Sequence, residues 1–268
     1  YLLSSSRRQR LMCIRDCALA RDTRTDNIIA AEGYTREFIE NFAKEYADEI
    51  CEERRRIKED FRQDREDNRT YGIDVSSWQG VIEWNRVKQS SHGGFAMLRA
   101  AYGTELDSRF EDNYEEATRA DVPVGAYLYT LALDEETAIE EADRLIEILR
   151  GKRLSYPIAL DIEERAQAEL GRERVSAIIE AFCSRMEQAK YYVMVYSYED
   201  FLTTLLTEEI RNKYDIWVAD IGGNPDIDFG IHQYSFKGEV DGIRGDVDLD
   251  YAVKNYPEIM RENNLNGY

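Results

Sequence analysis

Apolar residues recur at two different periods along this chain, and the period changes near Tyr71. Before that point Ile39, Ala43, Tyr46, Ile50, Ile57 and Phe61 form a stripe at three- and four-residue spacing, interrupted by Arg54, in a stretch with no proline and one glycine, Gly33. That spacing predicts an amphipathic helical segment over residues 24–70, a stalk or a docking helix. A short coiled coil through residues 26–69, allowing self-association, is the alternative. Residues 1–23, with "SSSRRQRLMCIRD", read as a non-native or disordered leader to be set aside in reasoning about the fold.

After Tyr71 short apolar runs alternate with helical patterns. The strand-like runs are "YGIDVS" (71–76), "FAMLRAAYG" (95–103), "PVGAYLYT" (123–130), "YPIALDIE" (156–163) and "YYVMVYSY" (191–198). Each is followed by a helical stretch; the clearest carry Ala138, Ala142, Leu145 and Leu149, or Val175, Ile178, Ile179, Phe182 and Met186, on one face. Three more runs, "DIWVADIG" (215–222), "FGIHQYSF" (229–236) and "GDVDLDYA" (245–252), are separated by turns too short for full helices. Repeated βα units argue for a parallel sheet covered by helices. Eight strands can close, which predicts an α/β fold of modified TIM-barrel type over residues 71–268. An open doubly wound sheet is the alternative.

Composition narrows the chemistry. The formal charge is −19, and residues 1–70 hold 15 Lys/Arg against 16 Asp/Glu, so almost all of the excess acid lies in the second region. Such a surface argues against nucleic-acid binding, which needs basic side chains for phosphates. No run of about 18 apolar residues is present to span a bilayer. Four scattered cysteines make neither a disulfide framework nor a zinc pattern, and two histidines give a triad hydrolase few bases.

The acids themselves fall at strand ends, where a barrel of this kind builds its site. Asp74 closes the first run, Asp161 and Glu163 the fourth, Asp220 the sixth, and Asp248 lies in the eighth. Asp161 and Glu163, two apart in a strand, would share a face with Cα atoms roughly 7 Å apart. Like charges so placed raise a pKa and can hold one acid protonated, as a general acid requires. Tyr127, Tyr129, Tyr196, Tyr198, Trp217, Gln233 and Tyr234 fall at the same ends. Acids with flat rings suit a sugar, and paired carboxyl groups supply what glycoside hydrolysis needs. A salt-bridged pair at 161 and 163, and a capping role for Asp74, are the structural alternatives. The "DVDLD" run is no calcium loop, because Tyr251 stands at the required glycine and Pro257 at the closing Glu.

In order and spacing, "GIDVSSWQGVIEWNRVK", "FAMLRAAYG", "PVGAYLYT", "YPIALDIE", "YDIWVAD" and "HQYS…GDVDLDYA" resemble the family 25 glycoside hydrolases, the N-acetylmuramidase lysozymes, over about Tyr71 to Tyr256. The resemblance implies a (β/α)5β3 barrel and cleavage of the β-1,4 bond after N-acetylmuramic acid in peptidoglycan. It implies no metal or organic cofactor, and action outside the cell or at the cell wall. By it Glu163 is the general acid and Asp161 its partner at the 2-acetamido group. Asp74 and Asp248 shape the site, and Tyr127, Tyr196 and Gln233 contact sugar. One departure is that the family often continues after "WVAD" with Gln and Trp, where this chain has Asp220, Ile221 and Gly222. A non-catalytic glycan-binding barrel and a chitinase-like glycosidase are the alternatives; "IAL" before Asp161 lacks the further upstream acid of the chitinase pattern.

Overall fold

The computed structural model describes residues 69–268, so the expected leader (1–23) and helical segment (24–70) lie outside the described residues, Arg69 and Thr70 apart. Nine strands occur among them: β1 (Thr70–Val75), β2 (Phe95–Tyr102), β3 (Glu105–Leu106), β4 (Val124–Tyr129), β5 (Ile158–Asp161), β6 (Val193–Tyr198), β7 (Asp215–Ala219), β8 (Ile231–Gly238) and β9 (Val247–Ala252). Pairing runs β1–β2–β4–β5–β6–β7–β8 in parallel, and β9 closes the circle antiparallel to both β8 and β1. The result is an eight-stranded closed barrel, with β3 a short hairpin extension of β2. All eight runs expected from the sequence are strands, and closure excludes the open sheet.

The helices are α1 (Trp84–Gln89), α2 (Phe110–Arg119), α3 (Glu135–Leu149), α4 (Arg165–Ala168), α5 (Arg172–Gln188), α6 (Glu199–Leu205), α7 (Glu208–Lys213) and α8 (Tyr256–Asn263). The first seven follow β1, β2/β3, β4, β5 and β6, which gives five βα units and then three strands, and α8 follows β9. The α3 helix starts where Asp134 accepts a hydrogen bond from the Thr137 amide, and it buries Ala138, Ala142, Leu145 and Leu149. In α5 the stripe read from the sequence, Val175, Ile178, Ile179, Phe182 and Met186, is buried, together with Cys183. Each fully buried large aliphatic or aromatic side chain contributes about 1.5–3 kcal/mol relative to exposure, so these faces hold the helices to the barrel.

Strand alternation sorts the apolar side chains into two sets. Outward residues such as Ile73, Val75, Leu98, Leu128, Leu160, Val195 and Val218 pack under the helices. Inward residues, among them Phe95, Met97, Tyr127, Ala159, Met194, Tyr196, Trp217 and Ile231, fill the barrel. Gly72 and Gly125 supply the room: a methyl group on either would collide with the Phe95 ring or the Met97 sulfur. The lower mouth is closed by α8, whose Tyr256 and Met260 are fully buried in the inner set. Tyr256 donates to Asp215 Oδ2 at 2.7 Å, and Lys254 pairs with Asp215 at 2.9 Å. The barrel interior is thus sealed at one end, and the inward residues near the other end make a floor.

Candidate active site

That floor is built from a ring of strand partners. Asp74 of β1 stands opposite Asp248 of β9, and Gly72 opposite Asp250. Asp250 also faces Gln233 of β8, while Asp161 of β5 lies between Tyr129 of β4 and Tyr196 of β6, and Tyr196 beside Trp217 of β7. Glu163 follows β5 by two residues, with Ile162 turned outward into the apolar layer. The four acids that the resemblance assigns to the reaction, Asp74, Asp161, Glu163 and Asp248, are therefore gathered at one end of the barrel, together with Asp250, which the sequence reading weighed only as part of a rejected calcium loop. Its signal was present: Asp250 is two residues beyond Asp248 in the same strand and so shares its face.

Hydrogen bonds fix this floor. Tyr196 donates its hydroxyl to Gln233 Oε1 at 2.7 Å, and Gln233 Nε2 donates to Asp74 Oδ2 at 2.7 Å. Trp217 Nε1 donates to Asp250 Oδ1 at 2.8 Å. Three buried carboxylate oxygens, Asp161 Oδ1, Glu163 Oε2 and Asp250 Oδ2, receive no hydrogen bond from the protein. Buried polar atoms are costly without partners, so an orphaned trio in one place marks a site prepared for a ligand or a proton.

Crowding and burial together raise the proton affinity of every acid here. Burial is the largest cause throughout. Asp74 is pushed up to about 8, with the charges of Asp248 and Glu163 adding to burial and the Gln233 hydrogen bond opposing it. Asp248 is pushed up to about 6 by burial. Asp161 is raised well above the usual carboxylate range by burial, then by Glu163 and Asp74, with Arg99 opposing. Glu163 is raised by burial, then by Glu164 and Asp248.

Arg99, inward on β2, is the cation set against these acids. Its Nε donates to Asp107 Oδ2 at 2.8 Å and its Nη2 to Ser77 Oγ at 3.0 Å. Asp107 in turn accepts from the amides of Ser77 and Arg109, tying the loop after β1 to the loop after β3. Neither Arg99 nor Asp107 was singled out in the sequence, because the pair is made by a β2–β3 hairpin that has no distinctive pattern.

Around the rim the sequence expectations divide. Tyr127 and Tyr196 face inward, 8% and 7% exposed. Tyr129 is present, but its hydroxyl donates to Glu164 Oε1 at 2.8 Å and its ring stacks on Tyr102, centroids 5.0 Å apart. Trp217 is not an open stacking surface: it is 1% exposed, edge-on to Tyr127 and Tyr196, and belongs to the floor. Tyr234 is on the wrong face. Its neighbour Gln233 points inward, so alternation turns Tyr234 outward to bond His92 Nε2 at 2.8 Å and pack with Tyr71 and Tyr251. Asp220 lies just past β7, its carboxylate against the backbone of Gly223 in its own turn. Exposed rings occupy the loops and strand ends: Trp78, which the sequence reading did not single out, is 85% exposed, and Tyr198 meets Phe236 edge-on at 6.3 Å.

Comparison with known proteins agrees with this geometry. The model of the family described as "Glycosyl hydrolases family 25" matches residues 73–243. The autolytic lysozyme of Clostridium acetobutylicum is 31% identical over 183 residues, 67% of this chain and 54% of that one, so this chain spans about half the length of that relative. Lysozyme M1 of Streptomyces globisporus is 31% identical over 194 residues, 66% of this chain and 65% of its own. Among solved structures, the bacterial lysozyme from Streptomyces coelicolor superposes with a TM-score of 0.61 at 29% identity, covering 68% of this chain and 90% of that one. The modular autolysin LytC from Streptococcus pneumoniae does so with a TM-score of 0.63 at 28% identity, covering 68% and 46%.

Proposed function

The chain belongs to family 25 of the glycosyl hydrolases, and from that premise we propose that it is a peptidoglycan hydrolase, an N-acetylmuramidase cleaving the β-1,4 bond between N-acetylmuramic acid and N-acetylglucosamine. The observation that carries this reading is the placement of Glu163. It is half-buried, and burial, then the charges of Glu164 and Asp248, raise its proton affinity, while its own charge raises that of Asp161. An acid so placed keeps its proton closer to neutral pH and delivers it to the glycosidic oxygen as that bond breaks.

Asp161 supplies the second role. Its buried Oδ1 has no protein donor, and it lies on the same inward face as Glu163. In this reading Oδ1 accepts the N–H of the 2-acetamido group and steadies the positive charge that develops at the anomeric carbon. Asp74 and Asp248 stand across the barrel on paired strands and set the charge of the floor. Tyr127 and Tyr196 give the sugar an apolar face, and Gln233 keeps Asp74 oriented. The substrate is the glycan strand of bacterial peptidoglycan and the place of action is the cell wall. Among the described residues no helix is long and apolar enough to cross a membrane.

The test is mass spectrometry of the reducing ends released from purified peptidoglycan, with Glu163→Gln as control. Muramic-acid ends from the wild type alone support the reading. Glucosamine ends mean that the other bond is cut, release from chitin in preference moves the protein to a chitinase-like activity, and binding without products makes it a glycan-binding barrel.

A further inference from the structure

The muramidase reading gives no task to Asp250, although it is one of the most deeply buried acids in the barrel. It is 0% exposed, and its Oδ1 is satisfied by Trp217 Nε1 at 2.8 Å. Its Oδ2 is buried and receives no N–H or O–H from a group that always carries one. What stands before it is the Asp74 carboxyl, whose charge is, after burial, the largest influence on its proton affinity. The strand register explains the approach. Opposite Asp250 on β1 is Gly72, which has no side chain, and the next inward residue of β1 is Asp74.

Two carboxylates cannot hydrogen-bond to one another unless one carries a proton, because each ionised carboxylate is an acceptor only. The surroundings decide which. Asp74 Oδ2 already accepts from Gln233 Nε2, and Gln233 is locked in that orientation by the Tyr196 hydroxyl on its Oε1. Asp250 Oδ1 likewise accepts from Trp217 Nε1, so each carboxyl has one satisfied oxygen, and it is the deeper burial of Asp250 that fits it as the donor and Asp74 as the acceptor. We propose that Asp250 is a positioning residue that holds one proton and donates it to Asp74, so that the Asp74–Asp250 pair carries at most one negative charge.

The charges around the pair act in the same sense. Asp248 presses on it from β9 itself, and Glu163 on Asp74 from beyond β5, while Arg99 on β2 is engaged by Asp107. Tyr234, outward on β8, also feels Asp250, and Asp161, Tyr127 and Tyr196 feel Asp74 from β5, β4 and β6. Burial, then the charge of Asp74, raise the proton affinity of Asp250 well above the usual carboxylate range. A doubly ionised pair in a dry floor would repel itself, and the shared proton removes that repulsion while keeping Asp74 aimed.

The inference rests on the muramidase reading only for its catalytic consequence; the proton is testable without substrate. The experiment is the thermal midpoint from pH 5 to pH 9 of wild type, Asp250→Asn and Asp250→Leu, with peptidoglycan turnover over the same range. An Asn amide donates to Asp74 permanently and its oxygen still accepts from Trp217. The expected result is that Asp250→Asn flattens the fall of the midpoint with rising pH and moves the alkaline limb of kcat by about one pH unit. Asp250→Leu lowers kcat at least tenfold at every pH with a smaller change in KM, and Asp250→Asn recovers most of that loss. An Asn variant whose midpoint falls with pH as steeply as the wild type overturns the proposal, even if the Leu variant fails to fold. If no form of the protein turns over peptidoglycan, the muramidase reading fails, and the midpoint curves still decide whether the pair holds a proton.

Discussion

Gln233 Nε2 lies 2.7 Å from Asp74 Oδ2, joining strands that are not neighbours in the barrel. As a neutral amide Gln233 serves both of its partners, since its oxygen also takes the Tyr196 hydroxyl. Gln233→Met keeps the volume and removes both bonds. Leaving a buried acceptor and a buried hydroxyl unpaired costs about 1–3 kcal/mol each. The expected outcome is a midpoint lowered by several degrees and turnover lowered at least tenfold, read by calorimetry and by reducing-end release.

Glu163→Gln separates chemistry from folding. The amide cannot deliver a proton, so turnover falls by about 10²–10⁴-fold, the usual worth of a positioned acid. Removing a charge that presses on Asp161 and Asp74 leaves the midpoint equal or higher at pH 7. Binding of intact peptidoglycan by the inactive variant, measured by co-sedimentation, is retained.

Stability should fall as pH rises. Asp74 is held near 8 and Asp248 near 6 in the fold, against ordinary values near 4 in the unfolded chain. Between those values the folded state binds more protons than the unfolded state, so unfolding free energy decreases with pH. The loss begins above about pH 4 and is complete above about pH 8 for these two groups. Calorimetry from pH 5 to pH 8 checks the sign, and Asp248→Asn reduces the slope across the lower part of that window.

Tyr102 and Tyr129 offer a prediction confined to substrate. Tyr102 is 42% exposed and stacks on Tyr129, whose hydroxyl is held by Glu164 beside the acid Glu163. Tyr102→Ala removes an exposed ring and leaves the core intact, so the midpoint moves little. KM for the glycan rises severalfold with kcat changed less, measured on soluble peptidoglycan fragments.

At the opposite end, Tyr256→Ala should cost about 3–5 kcal/mol, the range for emptying a buried aromatic site. Tyr256 is fully buried, stacks near Tyr156 at 5.4 Å and bonds Asp215. Urea unfolding reads the loss, and the pH profile of whatever activity remains keeps its shape, because no acid of the floor touches Tyr256.

Most of the fold was legible because each strand is an apolar run bounded by turns, and the α3 and α5 stripes repeat at helical spacing. The four acids were legible for a simpler reason, that strand ends converge once a barrel closes. Failures came where a one-dimensional pattern lacks a face. Gln233 and Tyr234 are adjacent and cannot both point inward, a constraint that alternation alone would have imposed. Trp217 could not be told from a rim aromatic, since the burial of its ring depends on Tyr127 and Tyr196 from other strands. The α8 helix went unread despite Asn255 as its cap and Pro257 in its first turn, both ordinary start signals. Asp107 gathers Arg99, Ser77 and Arg109 through contacts that no local spacing announces.

The barrel wall divides the apolar side chains into an outer and an inner set, and that division assigns them different evolutionary liberties. A volume-conserving exchange beneath α3 or α5 alters how firmly the molecule holds its shape and is screened from the acids by a layer of backbone. The same exchange at Met97, Met194 or Ile231 shifts the ground on which Asp74, Asp161 and Asp250 stand. Thermostable descendants are therefore to be sought by diversifying the outer set, and descendants with a displaced pH optimum by diversifying the inner one.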